Sequence, residues 1–260
     1  MLKLISLIPL AASVWFAAFL FLANRAPKSL VSWLALGAAA PLALLGRFVW
    51  SRRQTGEWLL ALPSLALFLS IAGLFIFLDR PASRYFLIGG SLALVYLDFY
   101  FLNLYARHAT NYNRRLLQKS NANFIILAIF FSSAALFAWS VFIAHTVWPL
   151  VLAIFFIILF LTKAALPWWL DSAETAALKN QLGWLFALVA GLLAAQFFWV
   201  LNWWPAGFLI KGAVFTLDVY FMIYLARSWL AETLNRRQIN RLAGLFLAII
   251  IIILLLARWI

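Results

Sequence analysis

Apolar residues run almost unbroken from Leu4 to Ala23, and eight further runs of about 20 residues follow, each closed by a short polar or basic stretch. In a bilayer every backbone N–H and C=O must be satisfied within the protein, so runs of this length read as transmembrane helices. The strands of a barrel would instead be segments of about 10 residues with alternating polarity. The spans are expected at about 4–23, 29–49, 58–78, 85–106, 123–143, 146–166, 181–203, 206–227 and 241–258. Hydrophobic residues make up 67% of the 260 positions and charged residues 10%, against about 45–50% and about 25% in soluble domains. A water-soluble globular fold is excluded, and no segment is left over for a soluble domain of normal size. The first run is too long for a secretory signal core and ends at Asn24-Arg25 without a small-residue cleavage pattern, so it reads as an uncleaved first span.

The basic residues orient these spans. Fourteen of the twenty Lys and Arg residues, among them Arg47, Arg107, Arg114, Arg115, Arg227, Arg236 and Arg237, fall on one side of the expected topology. That side is read as cytoplasmic, with the N-terminus inside, the C-terminus outside, and a bacterial inner membrane as the expected location. The net charge of +13 then reflects topology and contact with anionic headgroups, not nucleic acid. Trp168, Trp169, Trp203, Trp204 and Trp229 read as belt residues at the interfaces. Lys163 reads as a lysine snorkelling from the inner end of its span.

One phrase occurs twice. Leu97-Asp98-Phe99-Tyr100-Phe101 runs to Ala106-Arg107, and Leu217-Asp218-Val219-Tyr220-Phe221 runs to Ala226-Arg227; six of these eleven positions are identical, and each phrase is followed by Asn-Arg-Arg. The upstream Phe86-Leu87-Ile88-x-Gly90 likewise recurs as Phe208-Leu209-Ile210-x-Gly212. The expected fold is therefore an all-α polytopic membrane protein of about nine helices: a four-helix unit over 1–122, its parallel duplicate over 123–240, and a C-terminal helix over 241–260. Four spans per unit give both halves the same orientation.

Two of the four aspartates, Asp98 and Asp218, thus occupy matching places inside spans. An ionisable group at a helix centre costs roughly 2.5–3.5 kcal/mol or more and marks a functional site by default. Each lies nine residues, about 13 Å, before Arg107 or Arg227, and nine residues turn a helix through about 900 degrees, so neither can pair with its own arginine. Each must find a partner on another helix, meet water, or stay protonated. Lys211 precedes Asp218 by seven residues, on the same face and about 10 Å toward the outside. That pairing would hold Asp218 ionised and leave Asp98 the more titratable of the two. Bridging of helices through Tyr, Trp, Ser or backbone groups is the structural alternative. Tyr100 and Tyr220 project from another face and read as packing residues.

The remaining chemistry is sparse. Cysteine is absent and only His108 and His145 carry imidazoles, so no metal centre, haem or other cofactor is expected. No phosphate loop, metalloprotease helix, nucleophile elbow or paired-aspartate diphosphate site occurs, and Asp171 with Glu174 reads as a helix cap and first-turn acid. Gln196, Ser132-Ser133, Pro63-Ser64 and the two aspartates are nearly the whole polar inventory of the spans. A transporter for strongly hydrated solutes lines its route more richly. The expected activity is therefore transporter- or permease-like, moving or binding a lipid-like or amphiphilic substrate, with Asp98, Asp218, Lys211 and Gln196 as substrate or proton-relay residues at the interface of the repeats. Arg107, Arg114, Arg115, Arg227, Arg236 and Arg237 would hold headgroups or dock a protein partner. The alternatives are a non-catalytic subunit of a larger membrane complex and, third, a membrane-embedded enzyme acting on lipid.

Overall fold

The computed structural model describes residues 7–25, 29–52, 59, 61–107, 111–143, 146–165, 176–230 and 236–256. Among them are nine α-helices: α1 Ile8–Arg25, α2 Leu30–Arg52, α3 Leu62–Ile76, α4 Pro81–Arg107, α5 Asn111–Phe142, α6 Trp148–Ala165, α7 Ala176–Asn202, α8 Phe208–Leu230 and α9 Arg236–Leu256. Each expected span has a helix at its centre. Seven of the nine, α1, α2 and α4 through α8, are long and apolar enough to cross a membrane, which makes this a polytopic helical membrane protein. The other two fall short of the expected nine spans for different reasons. α3 has only 15 residues, about 22 Å of helix against an apolar core of about 30 Å. α9 opens on Arg236, Arg237 and Arg241, which shortens its apolar part.

Two compact units divide the chain, Met1–Ala128 and Ile129–Ile260. In the first, α1 packs on α4 and α2, α2 on α3, and α3 on α4. Lipid supplies no hydrophobic driving force between helices, so close contact must come from shape. Gly37 of α2 provides it at one crossing: a Cβ there would stand 2.7 Å from Phe19 Cβ of α1. The unit's centre holds Phe16, Phe68 and Phe99, with ring centroids 5.9 Å and 5.5 Å apart in succession. Pro41 is carried inside α2.

In the second unit α6 packs on α7, and α8 on α7 and α9. Gly212 of α8 lies directly on α5, where an added Cβ would meet Ala134 Cβ at 2.9 Å. Across this contact Ser133 Oγ donates to the Gly212 carbonyl at 3.4 Å. Beside it Phe137 stacks on Phe198 at 4.2 Å, and both rings meet Phe215 edge-on at 6.3 Å and 6.0 Å. Each unit is thus centred on three phenylalanines from three different helices.

Candidate functional site

Asp98 is placed by α4 inside the first unit, with 3% of its surface exposed. The Asp98 side chain turns toward α3, where its carboxyl faces the Ser64 hydroxyl. Ser64 is 1% exposed, and among the described residues no group completes the hydrogen bonding of either Ser64 Oγ or Asp98 Oδ2. The local sequence of α3 explains why the site lies here. Pro63 favours a helix start because it has no N–H to leave orphaned, and it fixes the beginning of α3 at Leu62. The N-cap residue, Ala61, has no side-chain acceptor, so no side chain caps this buried end. The first-turn N–H groups and the positive end of the helix dipole therefore lie on the side of Ser64.

The opposite end of the unit is tied by Arg84 of α4. Its Nη1 donates to Asn24 Oδ1 of α1 at 3.2 Å, its Nε donates to the Leu78 carbonyl just past α3, and its guanidinium lies 5.6 Å from the Phe75 ring. Ser64 and Asp98 each lie fourteen residues, about 21 Å, from this knot, which puts them at one level. The shortness of α3 is therefore taken up at its N-terminus, beside Asp98.

Asp218 of α8 is only half-buried. Lys211, expected to serve it, is 4% exposed and points elsewhere: its Nζ donates to the Asn202 carbonyl at 3.0 Å and lies 5.9 Å from the Phe137 ring. Asn202 ends α7, and a cation at a helix C-terminus meets the negative end of the dipole. Asn202 Oδ1 in turn accepts from Ser140 Oγ at 2.7 Å. Seven residues between Lys211 and Asp218 span more than a lysine reaches when its amine is held at the other end. The structure thus brings Asp98 and Ser64 together and directs Lys211 away from Asp218.

Gln196 is exposed on α7, beside a shallow groove of about 340 Å³ between α6 and α7 that also carries Trp148, Phe155, Leu192 and Trp199. Lys163, read as a snorkelling lysine, is buried with its Nζ 4.8 Å from the Trp184 ring. Arg237 is exposed on α9. The side chains of Arg107, Arg114, Arg115, Arg227 and Arg236 lie outside the described residues, as do His108, His145, Trp168, Trp169, Asp171, Glu174 and the side chain of Trp229. Among the described residues no group of His, Cys, Asp and Glu is placed to hold a metal ion.

Sequence reasoning named Ser64 only as part of the polar inventory and missed its pairing with Asp98. The signal was Pro63-Ser64 within an apolar run, a helix start at membrane depth.

A family model matches residues 58–257, a stretch that holds Ser64, Asp98 and Asp218 and begins after α2. The chain belongs to this family, described as a protein of unknown function (DUF5656). No curated protein and no solved structure matches the chain.

Proposed function

We propose that the chain is a transporter- or permease-like membrane protein that binds and moves a lipid-like or amphiphilic molecule, with Asp98 as its principal polar contact. The observation that carries this reading is the Asp98 carboxyl, buried in a spanning helix and facing the Ser64 hydroxyl, with Oδ2 left without a partner among the described residues. A carboxyl kept there for packing alone would be expected to have its hydrogen bonds completed by neighbouring helices, because unmet polar groups in an apolar medium cost several kcal/mol. The scarcity of other polar groups in the spans favours an amphiphile over a hydrated solute. Asp218 is the second contact, and the Arg107 end of α4 faces the cytoplasm.

The test is translocation of a nitrobenzoxadiazole-labelled phospholipid in proteoliposomes, read by dithionite quenching. Wild-type chain accelerates it over empty vesicles, and Asp98→Asn slows it by about tenfold or more, the equivalent of about 1.4 kcal/mol. Equal rates for wild type, Asp98→Asn and empty vesicles count against the reading.

A second reading is an integral subunit of a larger complex. Exposed Gln196 beside the α6–α7 groove favours it, because an amide facing lipid gains from a hydrogen bond across a helix interface. Its mark is a stoichiometric partner retained through purification in mild detergent and lost in Gln196→Leu.

A further inference from the structure

We infer that the pocket formed by Asp98, Ser64 and the N-terminus of α3 is a proton-exchange site, selective for protons over metal cations. The inference rests on the reading of Asp98 as the working carboxyl and names the ion that this carboxyl handles.

Three features of the site lead to it. The helix end is buried and no side chain caps it, Ala61 being 3% exposed and offering no side-chain acceptor. Asp98, also 3% exposed, stands at that end, and among the described residues neither its Oδ2 nor the neighbouring Ser64 Oγ has a hydrogen-bond partner. These two side chains supply too few oxygens for a hard cation, which takes six or more oxygen ligands. The positive end of the α3 dipole further repels a cation while it stabilises a carboxylate. With no metal-ligand set among the described residues, the proton is the cation that this buried carboxyl can exchange. In the step itself, hydronium protonates the Asp98 carboxylate to the acid and leaves water, and the return step delivers the proton to water or to a basic group of a bound amphiphile. A serine hydroxyl can donate to a carboxylate or accept from an acid, so Ser64 suits both states.

Among the described residues, no competing charge faces the carboxyl. α1 and α3 pack on α4 in this unit, and Phe124 of α5 meets Phe101 of α4 at 6.5 Å; the charged side chains just before α3 and in the first turns of α5 lie outside the described residues. α3 carries no titratable side chain, and the charged residue of α1 is Arg25, at the far end of the helix. On α4 itself, Arg84 is held by Asn24 and Leu78 about 21 Å away, and Tyr96 and Tyr100 are exposed on other faces.

The test is infrared difference spectroscopy of the full chain in lipid nanodiscs, between alkaline and acidic buffer. The expected result is a protonated-carboxyl C=O band that is lost in Asp98→Asn, kept in Asp218→Asn, and shifted in frequency in Ser64→Ala. Saturating sodium or calcium leaves the band in place. Absence of an Asp98-dependent band, its displacement by either cation, or an unchanged frequency in Ser64→Ala overturns the inference. Should Asp98→Asn fail to fold, the Ser64→Ala shift and the cation titration decide on proteins that keep the carboxyl. The band with no phospholipid translocation refutes the transport reading alone, whereas Asp98-dependent translocation with no band refutes the proton site alone.

Discussion

Gly212 and Gly89 show how differently two glycines in spanning helices are used. A Cβ on Gly212 would stand 2.9 Å from Ala134 Cβ and 3.1 Å from its backbone, whereas one on Gly89 or Gly90 meets nothing within 4 Å. Backbone cannot swing aside as a long side chain can, so Gly212→Ala is expected to cost about 1–3 kcal/mol, the usual penalty for overpacking. Gly89→Ala should be neutral or stabilising by up to about 1 kcal/mol, since it restricts the unfolded chain. Thermal unfolding in detergent checks both. Composition alone does not separate them, because glycine at a helix crossing and glycine facing lipid look alike in one sequence. The same limit applied at the site. Asp98 stood out because charge is scarce in lipid, while Ser64 did not, because hydroxyls are common in spans and bond their own backbone, as Ser70 does to the Ala66 and Leu67 carbonyls.

Among the helices, hydropathy located centres well and ends poorly. The fifth run was expected to begin near residue 123, yet α5 begins at Asn111. Hydropathy measures the stretch that suits lipid, and a helix continues past it wherever the backbone hydrogen bonds continue. In α3 the error ran the other way, the helix starting at Leu62 where Pro63 opens it. The Lys211–Asp218 pairing followed from helical spacing alone, and the carbonyl at the end of a neighbouring helix cannot be read from spacing. With Lys211 bonded to the Asn202 carbonyl, Lys211→Met should destabilise the second unit by about 1–3 kcal/mol, the cost of removing a charge-assisted hydrogen bond. Combined with Asp218→Asn, its effect should be additive to within about 0.5 kcal/mol, as for independent sites. A coupling well above that, in a double-mutant cycle on detergent-solubilised protein, would restore the ion pair.

For the whole molecule, the membrane class was legible from the run lengths because the bilayer sets them. The duplication rests on the repeated Leu-Asp-x-Tyr-Phe phrase alone: in that register Phe99 matches Val219 and Phe215 matches Val95, so the two phenylalanine centres are not equivalent positions. The proposed orientation has its own test, made simple by the absence of cysteine. A cysteine replacing exposed Arg80, between α3 and α4, should react with impermeant maleimide in intact cells, and one replacing Gln118 should react only after permeabilisation; the reverse pattern would invert the topology. The account as a whole stands on Asp98 and Ser64 acting as one site. The most direct measurement is therefore the translocation rate of labelled phospholipid for Asp98→Asn, Ser64→Ala and the double variant at matched reconstitution. If the two residues work as a unit, the double variant is no slower than Asp98→Asn alone, since losses within one functional unit do not add. Wild-type rates in all three variants would contradict the account.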